Sequence, residues 1–452
     1  MDVADPVSQP SPRAPTRAEA FRFWLKLGFI SFGGPAGQIA IMHRELVDER
    51  RWISERRFLH ALNYCMLLPG PEATQLATYL GWLLHRTRGG IVAGTLFVLP
   101  SLAILSTLAW IYLRWGHVPA IAGALSGVKP VVVAIVLHAA WRIGKRTLRH
   151  PLLWAIAVAA FVALEGFDVP FPAIVVGAAL AGVALARVEP RAFSGGPGHA
   201  SGAGAHAPAV IDDDTPVPPH ARWSARRFVA VVAVFVAIWA AAFGALAAAF
   251  GTMGTLAAMG WFFTKAALVT FGGAYAVLPY IVQHAVDHQG WLTASQMIDG
   301  LALGETTPGP LIMVVAFVGF VGAWTHAPFG PDALAAAGVA GASVATFFTF
   351  LPSFLFILAG GPLVESTHND LKFTAPLTAI TAAVVGVIVN LAAFFAYHVW
   401  WPKGFSGEFD AVSAAVTVAA AVALFRFKVG VMPLLAGCAA IGLALTFVPP
   451  KF

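Results

Sequence analysis

Two short glycine and proline tracts interrupt apolar stretches of this sequence, and polar side chains lie directly beside them. The first tract is Gly33-Gly34-Pro35 and the second is Pro69-Gly70-Pro71. Glycine and proline in an apolar helix remove hydrogen bonds and leave backbone N–H and C=O groups unpaired. Such groups are tolerated away from water only where they line a cavity or find protein partners. The tracts therefore predict two broken helices that could bind a ligand.

Both tracts recur later in the chain at one constant spacing. Phe32-Gly33-Gly34 returns as Phe271-Gly272-Gly273, 239 positions later, and Pro69-Gly70-Pro71 returns as Pro308-Gly309-Pro310 at the same spacing. A further tract, Leu99-Pro100-Ser101, returns as Leu351-Pro352-Ser353 at a spacing of 252. The chain is therefore an internal duplication. A single tract would more often be a structural kink, but the repetition of both favours a functional role.

The Pro-Gly-Pro tracts have the pattern of helix starts. Proline favours the first position of a helix, so Pro71 and Pro310 each predict a half-helix whose free N–H groups point into the break. The helix dipole makes such an end positive, and it binds anions. We expect the breaks of the two halves to meet near the middle of the molecule and to form one anion site.

Polar residues beside the breaks extend this predicted site. Glu72, Thr74 and Gln75 follow the first Pro-Gly-Pro tract. A carboxylate in an apolar segment is expensive and usually functional, so Glu72 and Glu305 are candidates for proton coupling; capping of the adjacent helix end is the alternative. The predicted substrate-binding set comprises Lys26, Phe32, Gly33, Gly34, Pro35, Pro69, Gly70, Pro71, Glu72, Thr74, Gln75, Lys265, Phe271, Gly272, Gly273, Glu305, Thr306, Thr307, Pro308, Gly309 and Pro310.

Lys26 and Lys265 stand seven residues before each Gly-Gly pair. They could attract an anion, or their ammonium groups could extend to the membrane interface. The sequence leaves both interpretations open.

The elements that carry these residues are membrane helices. Of 452 residues, 58% are hydrophobic and 11% are charged, which excludes a water-soluble fold. Long apolar runs without period-two alternation predict spanning helices. The net charge of +6 comes from Lys and Arg in short loops, a pattern typical of cytoplasmic loops and not of nucleic-acid binding. We find no motif for catalysis, a metal or a cofactor, so we expect no enzyme.

The duplication divides the chain into two six-segment halves. The first half ends before a Gly- and Pro-rich stretch, which we interpret as a flexible linker. One extra apolar segment precedes the second half. The predicted parts are an N-terminal tail at 1–20, the first repeat at 21–187, a cytoplasmic linker at 188–225, a connecting membrane helix at 226–250 and the second repeat at 256–448.

An odd segment between two equivalent units inserts the second unit upside down, so we expect an inverted repeat. The loop charges agree if the N-terminus and the linker are cytoplasmic. The Arg-rich loop 43–57 is the exception, because full spanning of the broken segments would place it outside. It moves inside if the first two segments of each half are re-entrant hairpins, and we favour that arrangement.

The sequence resembles the chromate ion transporter family in its long, two-domain form. The resemblance rests on Phe29-Ile30-Ser31-Phe32-Gly33-Gly34-Pro35, on Leu68-Pro69-Gly70-Pro71-Glu72-Ala73-Thr74-Gln75 and on the two second-half tracts. It implies secondary active export of chromate across the bacterial inner membrane, with chromate resistance. The second half departs from the motif, since Ala274 follows its Gly-Gly pair and Leu311-Ile312-Met313 replaces Glu72-Ala73-Thr74. We therefore expect unequal contributions from the halves.

Several alternatives remain open at this stage. Sulfate and other tetrahedral oxyanions are close in shape to chromate, so sulfate is expected as a competitor and a sulfate transporter is an alternative. A passive anion channel is another, and a membrane enzyme or sensor is a remote one. Besides the anion, membrane lipid is the expected partner, with no nucleic acid. The oligomeric state stays open, with a homodimer as one alternative.

Overall fold

The computed structural model describes residues 12–193, 208–216, 218–366 and 374–447. In these ranges the regular elements are helices, together with one isolated bridge between Ile53 and Ile211. The all-helical class predicted from the sequence is confirmed. The helices are α1 (Arg17–Ile30), α2 (Gly34–His43), α3 (Glu55–Leu67), α4 (Glu72–Trp115), α5 (Pro119–Thr147), α6 (Pro151–Phe167), α7 (Phe171–Val188), α8 (Ala225–Phe250), α9 (Thr255–Leu268), α10 (Ala274–Val282), α11 (Ala294–Thr306), α12 (Val314–His326), α13 (Leu334–Ser366), α14 (Thr374–Trp400), α15 (Ala411–Phe425) and α16 (Val431–Thr446).

Six helices in the described ranges are long and apolar enough to cross a membrane. The predicted connecting helix, α8, is one of them and has no buried residue, so it lies against the outside of the bundle. The six are Glu72–Trp115, Pro119–Thr147, Phe171–Val188, Ala225–Phe250, Pro331–Glu365 and Thr374–Trp400.

The chain folds back on itself at the Gly-Gly and Pro-Gly-Pro breaks. Residues on opposite sides of a break contact each other, as the rings of Tyr64 and Tyr79 do with centroids 5.7 Å apart. The stacked rings of Phe262 and His284, 3.9 Å apart, do the same across the second Gly-Gly pair. We name the four folded units hairpin 1 (residues 17–49), hairpin 2 (55–84), hairpin 3 (255–288) and hairpin 4 (294–326).

Helix α4 contains a second reversal directly after hairpin 2. His85 and Arg86 leave the helical conformation, with Arg86 at a φ of 59°. The following arm returns along the preceding one, and Gly90 permits the close approach because a Cβ there would stand 2.9 Å from the Thr78 carbonyl oxygen. The second arm of α4, after Arg86, is therefore the first long apolar helix of the chain.

The two halves interlock around equivalent helices. Helix α5 of the first half packs against α15 and α16 of the second, whereas α14 of the second half packs against α6 and α7 of the first. Helices α5 and α14 occupy equivalent positions in the repeat, because 128–139 aligns with 380–391. Each half thus completes the core of the other.

Part of the predicted flexible linker pairs with the segment 51–54 that joins hairpins 1 and 2. The amide of Ser54 donates to the Ile211 carbonyl at 2.9 Å, and the Ile211 amide donates to the Trp52 carbonyl at 3.1 Å. Ile211 and Ala221 are buried. This ordered segment differs from the expected flexible linker. A Gly- and Pro-rich composition predicts flexibility, but it does not reveal that the backbone groups at 51–54 are available as hydrogen-bond partners. Residues 194–207 lie outside the described ranges.

Candidate functional site

The four breaks meet in pairs, and each pair joins the two halves. The Gly70 amide donates to the Thr270 carbonyl at 2.7 Å, and the Gly309 amide donates to the Ser31 carbonyl at 2.8 Å. Gly70 and Gly309 are equivalent in the repeat, as are Ser31 and Thr270. The two hydrogen bonds are therefore a reciprocal exchange, and we call these two places the crossings. The Pro-Gly-Pro tract of each half binds the backbone before the Gly-Gly pair of the other.

Positive φ angles explain why glycine occupies the centre of each Pro-Gly-Pro tract. Gly70 has a φ of 119° and Gly309 a φ of 103°, a region that side chains rarely adopt. The flanking prolines donate no hydrogen bond, so the glycine amide is the one donor of the tract. That donor is the one used at the crossing.

The two half-helices start differently. In the first half, α4 begins directly after Pro71, and the Gln75 amide makes its first helical bond to the Pro71 carbonyl at 3.0 Å. The amides of Glu72, Ala73 and Thr74 therefore have no partner within the helix. In the second half, a short 3₁₀ turn at Leu311–Met313 precedes α12. There the Met313 amide donates to the Pro310 carbonyl at 2.8 Å, so fewer amides at the start of the second half-helix lack a helical partner.

The two carboxylates beside the breaks have different surroundings. Glu72 lies at the first position of α4, and neither a side-chain cap nor another hydrogen bond joins it to a described residue. Glu305 lies one residue before the end of α11 and accepts a hydrogen bond from the Tyr275 hydroxyl. An ionised carboxylate is disfavoured near a helix C-terminus, because that end of the dipole is negative. Glu72 lies at the positive end of a helix dipole and Glu305 at the negative end, so the two carboxyl groups are not electrostatically equivalent.

The threonines of the second Pro-Gly-Pro tract bond to their own helix. The Thr306 hydroxyl donates to the Leu303 carbonyl at 2.9 Å, and the Thr307 hydroxyl donates to the Gly304 carbonyl at 3.0 Å. Their donors are therefore occupied. Thr74 in the first half is different: it is fully buried, and its hydroxyl has no partner among the described residues.

Two glutamines of the first half, Gln38 and Gln75, line the crossings. Gln38 Nε2 donates to the Gly309 carbonyl at 2.5 Å, and Gln75 Nε2 donates to the Pro69 carbonyl at 2.7 Å. Valines occupy the equivalent positions, 277 and 314, so the second half lacks these bonds. Sequence reasoning missed Gln38, although a glutamine four residues after a Gly-Gly pair in an apolar segment was a usable signal.

The Gly-Gly loops themselves differ in exposure. Phe32 is 37% exposed and Gly33 is exposed, whereas Phe271, Gly272 and Gly273 are half-buried. Helix α2 begins at Gly34, with Pro35 in its first turn as expected for proline.

The paired lysines stand in unequal environments. Lys26 Nζ lies 2.9 Å from Glu45 Oε1. Burial would raise the pKa of Glu45, but the hydrogen bonds from Lys26 and Arg50 outweigh it, so the pKa of Glu45 is lowered and the pair is ionic. Lys265 lies over the ring of Trp261, 5.8 Å from its centroid. Its charge is not matched by a carboxylate in the described ranges.

Two ion pairs join the halves at the ends of hairpins 2 and 4 that lie away from the breaks. Arg57 of hairpin 2 lies 2.7 Å from Glu365 of α13. Lys129 of α5 lies 3.4 Å from Asp299 of hairpin 4, and both carboxylates are almost fully buried. Sequence reasoning missed both pairs, because their partners are far apart in the chain. No group of three or more metal-ligating side chains occurs within the described ranges.

Comparison with known proteins follows the same division into halves. The chain matches the family described as Chromate transporter over residues 18–183 and 257–443. It is 33% identical over 390 residues to the chromate transport protein of Pseudomonas aeruginosa, covering 85% of this chain and 82% of that protein. It is 29% identical over 432 residues to the chromate transport protein of Cupriavidus metallidurans, covering 95% and 93%. No solved structure matches the chain.

Proposed function

The chain belongs to the chromate transporter family, and we propose that it exports chromate from the cytoplasm across the bacterial inner membrane by secondary active transport. Relatives named as chromate transport proteins support the substrate. The observation that carries the mechanism is the reciprocal exchange between the breaks, in which Gly70 binds Thr270 and Gly309 binds Ser31. Each crossing brings a break of one half against a break of the other, which supports an anion site shared by the two repeats.

The anion-binding elements are proposed to come mainly from the first half. The unpaired amides of Glu72, Ala73 and Thr74 lie at the positive end of a helix dipole, which favours a dianion. Gly33-Gly34 and Gly272-Gly273 are proposed to let the facing backbone approach. The second half is proposed to contribute the Gly309 crossing, which holds the backbone of the first half in place, and the Glu305 carboxyl group.

Proton coupling is proposed for Glu72 and Glu305. A carboxylate beside the anion repels it when ionised, so the protonation states of Glu72 and Glu305 would control when the site accepts chromate. The variants E72Q and E305Q remove the titration but keep the shape. We expect each variant to lose the pH dependence of transport. Transport with the wild-type pH profile in both variants would refute the coupling role.

An inverted, re-entrant topology is also proposed. Support comes from the pairing of Trp52 and Ser54 with Ile211, because the Arg-rich loop and the linker then lie on one side of the membrane. Further support comes from the contacts between the two arms on either side of a break. Through these contacts the apolar segments fold back as hairpins, whereas straight segments of the same length could cross the membrane. With α8 as the odd connecting helix, the second half would be upside down.

Two exposed aspartates at equivalent positions test this topology. Asp48 and Asp287 each lie at the outer end of a Gly-Gly hairpin. Single cysteines, D48C and D287C, are made in a background without Cys65 and Cys438 and treated with an impermeant thiol reagent. We expect D48C to be labelled only from the cytoplasmic side and D287C only from outside. Labelling of both from one side would overturn the inverted repeat.

Transport itself is tested in everted membrane vesicles with labelled chromate. We expect energised uptake that an uncoupler abolishes and that sulfate inhibits by competition. Uptake that only equilibrates, unaffected by the uncoupler, would indicate a passive channel. Uptake of sulfate in preference to chromate would assign a different oxyanion.

A further inference from the structure

The two serines of the repeated Leu-Pro-Ser tract are buried without a hydrogen-bond partner. Ser101 of α4 is 0% exposed and Ser353 of α13 is 2% exposed. Neither hydroxyl has a partner in the part of the chain that the structure describes. The Leu-Pro-Ser tracts are not among the residues of the proposed site.

Several other hydroxyls on the same helices are bonded to the preceding turn, although Thr74 of α4 and Thr346 of α13 are also buried without a partner among the described residues. Ser343 of α13 donates to the Val339 carbonyl at 2.8 Å, and Thr107 of α4 donates to the Ala103 carbonyl at 2.8 Å. This back-bonding to the preceding turn is the usual way for a helical hydroxyl to be satisfied. A buried hydroxyl without a partner is destabilising, and natural proteins contain few of them. Its occurrence at two equivalent positions therefore calls for a functional reason.

Both serines lie directly against the crossings. A Cβ built on Gly309 would stand 2.9 Å from Ser101 Oγ, and one built on Gly70 would stand 2.5 Å from Ser353 Oγ. Each half therefore places one hydroxyl against the Pro-Gly-Pro tract of the other half. Gln38 Nε2 and Gln75 Nε2 already donate to carbonyls there. The serine hydroxyls, like the Thr74 hydroxyl beside the first Pro-Gly-Pro tract, are uncommitted side-chain donors next to the breaks.

We propose that Ser101 and Ser353 donate hydrogen bonds to the transported oxyanion, one from each half. The inference rests on the proposed function and identifies the side chains that recognise the substrate. A tetrahedral dianion has only acceptor oxygens, so it needs donors around it. Neutral hydroxyls supply these donors without a fixed positive charge that would hold the anion too tightly for release.

The variants S101A and S353A test this role, with S343A as the matched control on α13. In everted vesicles we expect the KM for chromate to rise about tenfold or more in each serine variant, because a hydrogen bond to a charged group is lost. The maximal rate should change much less. S343A should behave as wild type.

Thermal unfolding in detergent separates substrate binding from a structural role. Removal of an unpartnered hydroxyl should leave the Tm equal to or above that of wild type. A lower Tm with an unchanged KM would show that the serines only pack against the glycines and would overturn the inference. If an alanine variant is poorly expressed, S101C or S353C should give the same rise in KM, since a thiol is a weak donor.

Anion-dependent stabilisation distinguishes this inference from the proposed function. Chromate or sulfate should raise the Tm of the purified wild-type protein in proportion to its binding. A wild-type protein that neither takes up chromate nor is stabilised by either anion would refute the proposed function. A stabilised wild type whose serine variants respond at the same anion concentrations would refute the serine role alone.

Discussion

Replacement of Gly70 by alanine should destabilise the crossing between the halves. The expected loss has two parts, a steric cost of the added Cβ and a conformational cost of the positive φ. A Cβ at Gly70 would stand 2.5 Å from Ser353 Oγ and 2.8 Å from Gln75 Nε2. Such overpacking costs about 1–3 kcal/mol. The φ of 119° adds a conformational cost of about 1–3 kcal/mol for a residue with a side chain. We therefore expect a loss of about 2–6 kcal/mol in G70A.

Two glycine controls separate these contributions in detergent unfolding experiments. Gly273 has a φ of 96° but open space around its Cβ position, so G273A should show the conformational cost alone. Gly177 is helical and also open, so G177A should be neutral or slightly stabilising. The second-site change S353A should restore part of the stability of G70A by removing the nearest atom. A G70A protein as stable as G177A would refute the geometry of the crossing.

Two further predictions concern the charged groups. R57A should lose about 3–5 kcal/mol of stability, because it leaves the Glu365 carboxylate buried without its partner. The double variant R57A/E365Q should recover part of that loss. Unfolding of the single and double variants in detergent measures both effects, and an R57A protein as stable as wild type would refute the ion pair. K265Q should raise the KM for chromate several-fold, because no carboxylate in the described ranges matches the charge of Lys265. K26Q should change the KM little, because Glu45 already neutralises Lys26. Equal effects of the two variants on chromate uptake in vesicles would contradict this asymmetry.

The sequence was sufficient for the duplication, the four breaks and the membrane class, because these depend on local composition and on repetition. Glycine adopts a positive φ more readily than other residues, so Gly70 and Gly309 between prolines were recognisable as breaks in the sequence. The exchange of hydrogen bonds with Ser31 and Thr270 was not visible, because a backbone carbonyl carries no sequence signal. The Arg57–Glu365 pair escaped for a related reason, since its partners are 308 positions apart.

The unequal chemistry of the halves was predicted in kind but not in detail. The replacement of Glu72 by Leu311 in the second half indicated that the two halves would contribute unequally. The predicted equivalence of Pro71 and Pro310 as helix starts was less accurate, because a 3₁₀ turn follows Pro310. Composition does not distinguish an α-helical from a 3₁₀ first turn, so the sequence could not predict this difference between the halves.

The crossings are symmetrical in backbone, whereas the side chains around them are not. Both glycine amides donate to the opposite half, so G309A should resemble G70A in its loss of stability; its Cβ would stand 2.7 Å from Ser101 Cβ at a φ of 103°. The side chains beside the crossings differ, with Gln75 facing its own tract in the first half and Val314 in its place in the second. A substitution at this position should therefore affect transport only when it is made in the first half. We expect Q75A to raise the KM for chromate and V314A to leave it unchanged. Equal effects of the two on vesicle uptake would mean that both halves bind the anion alike.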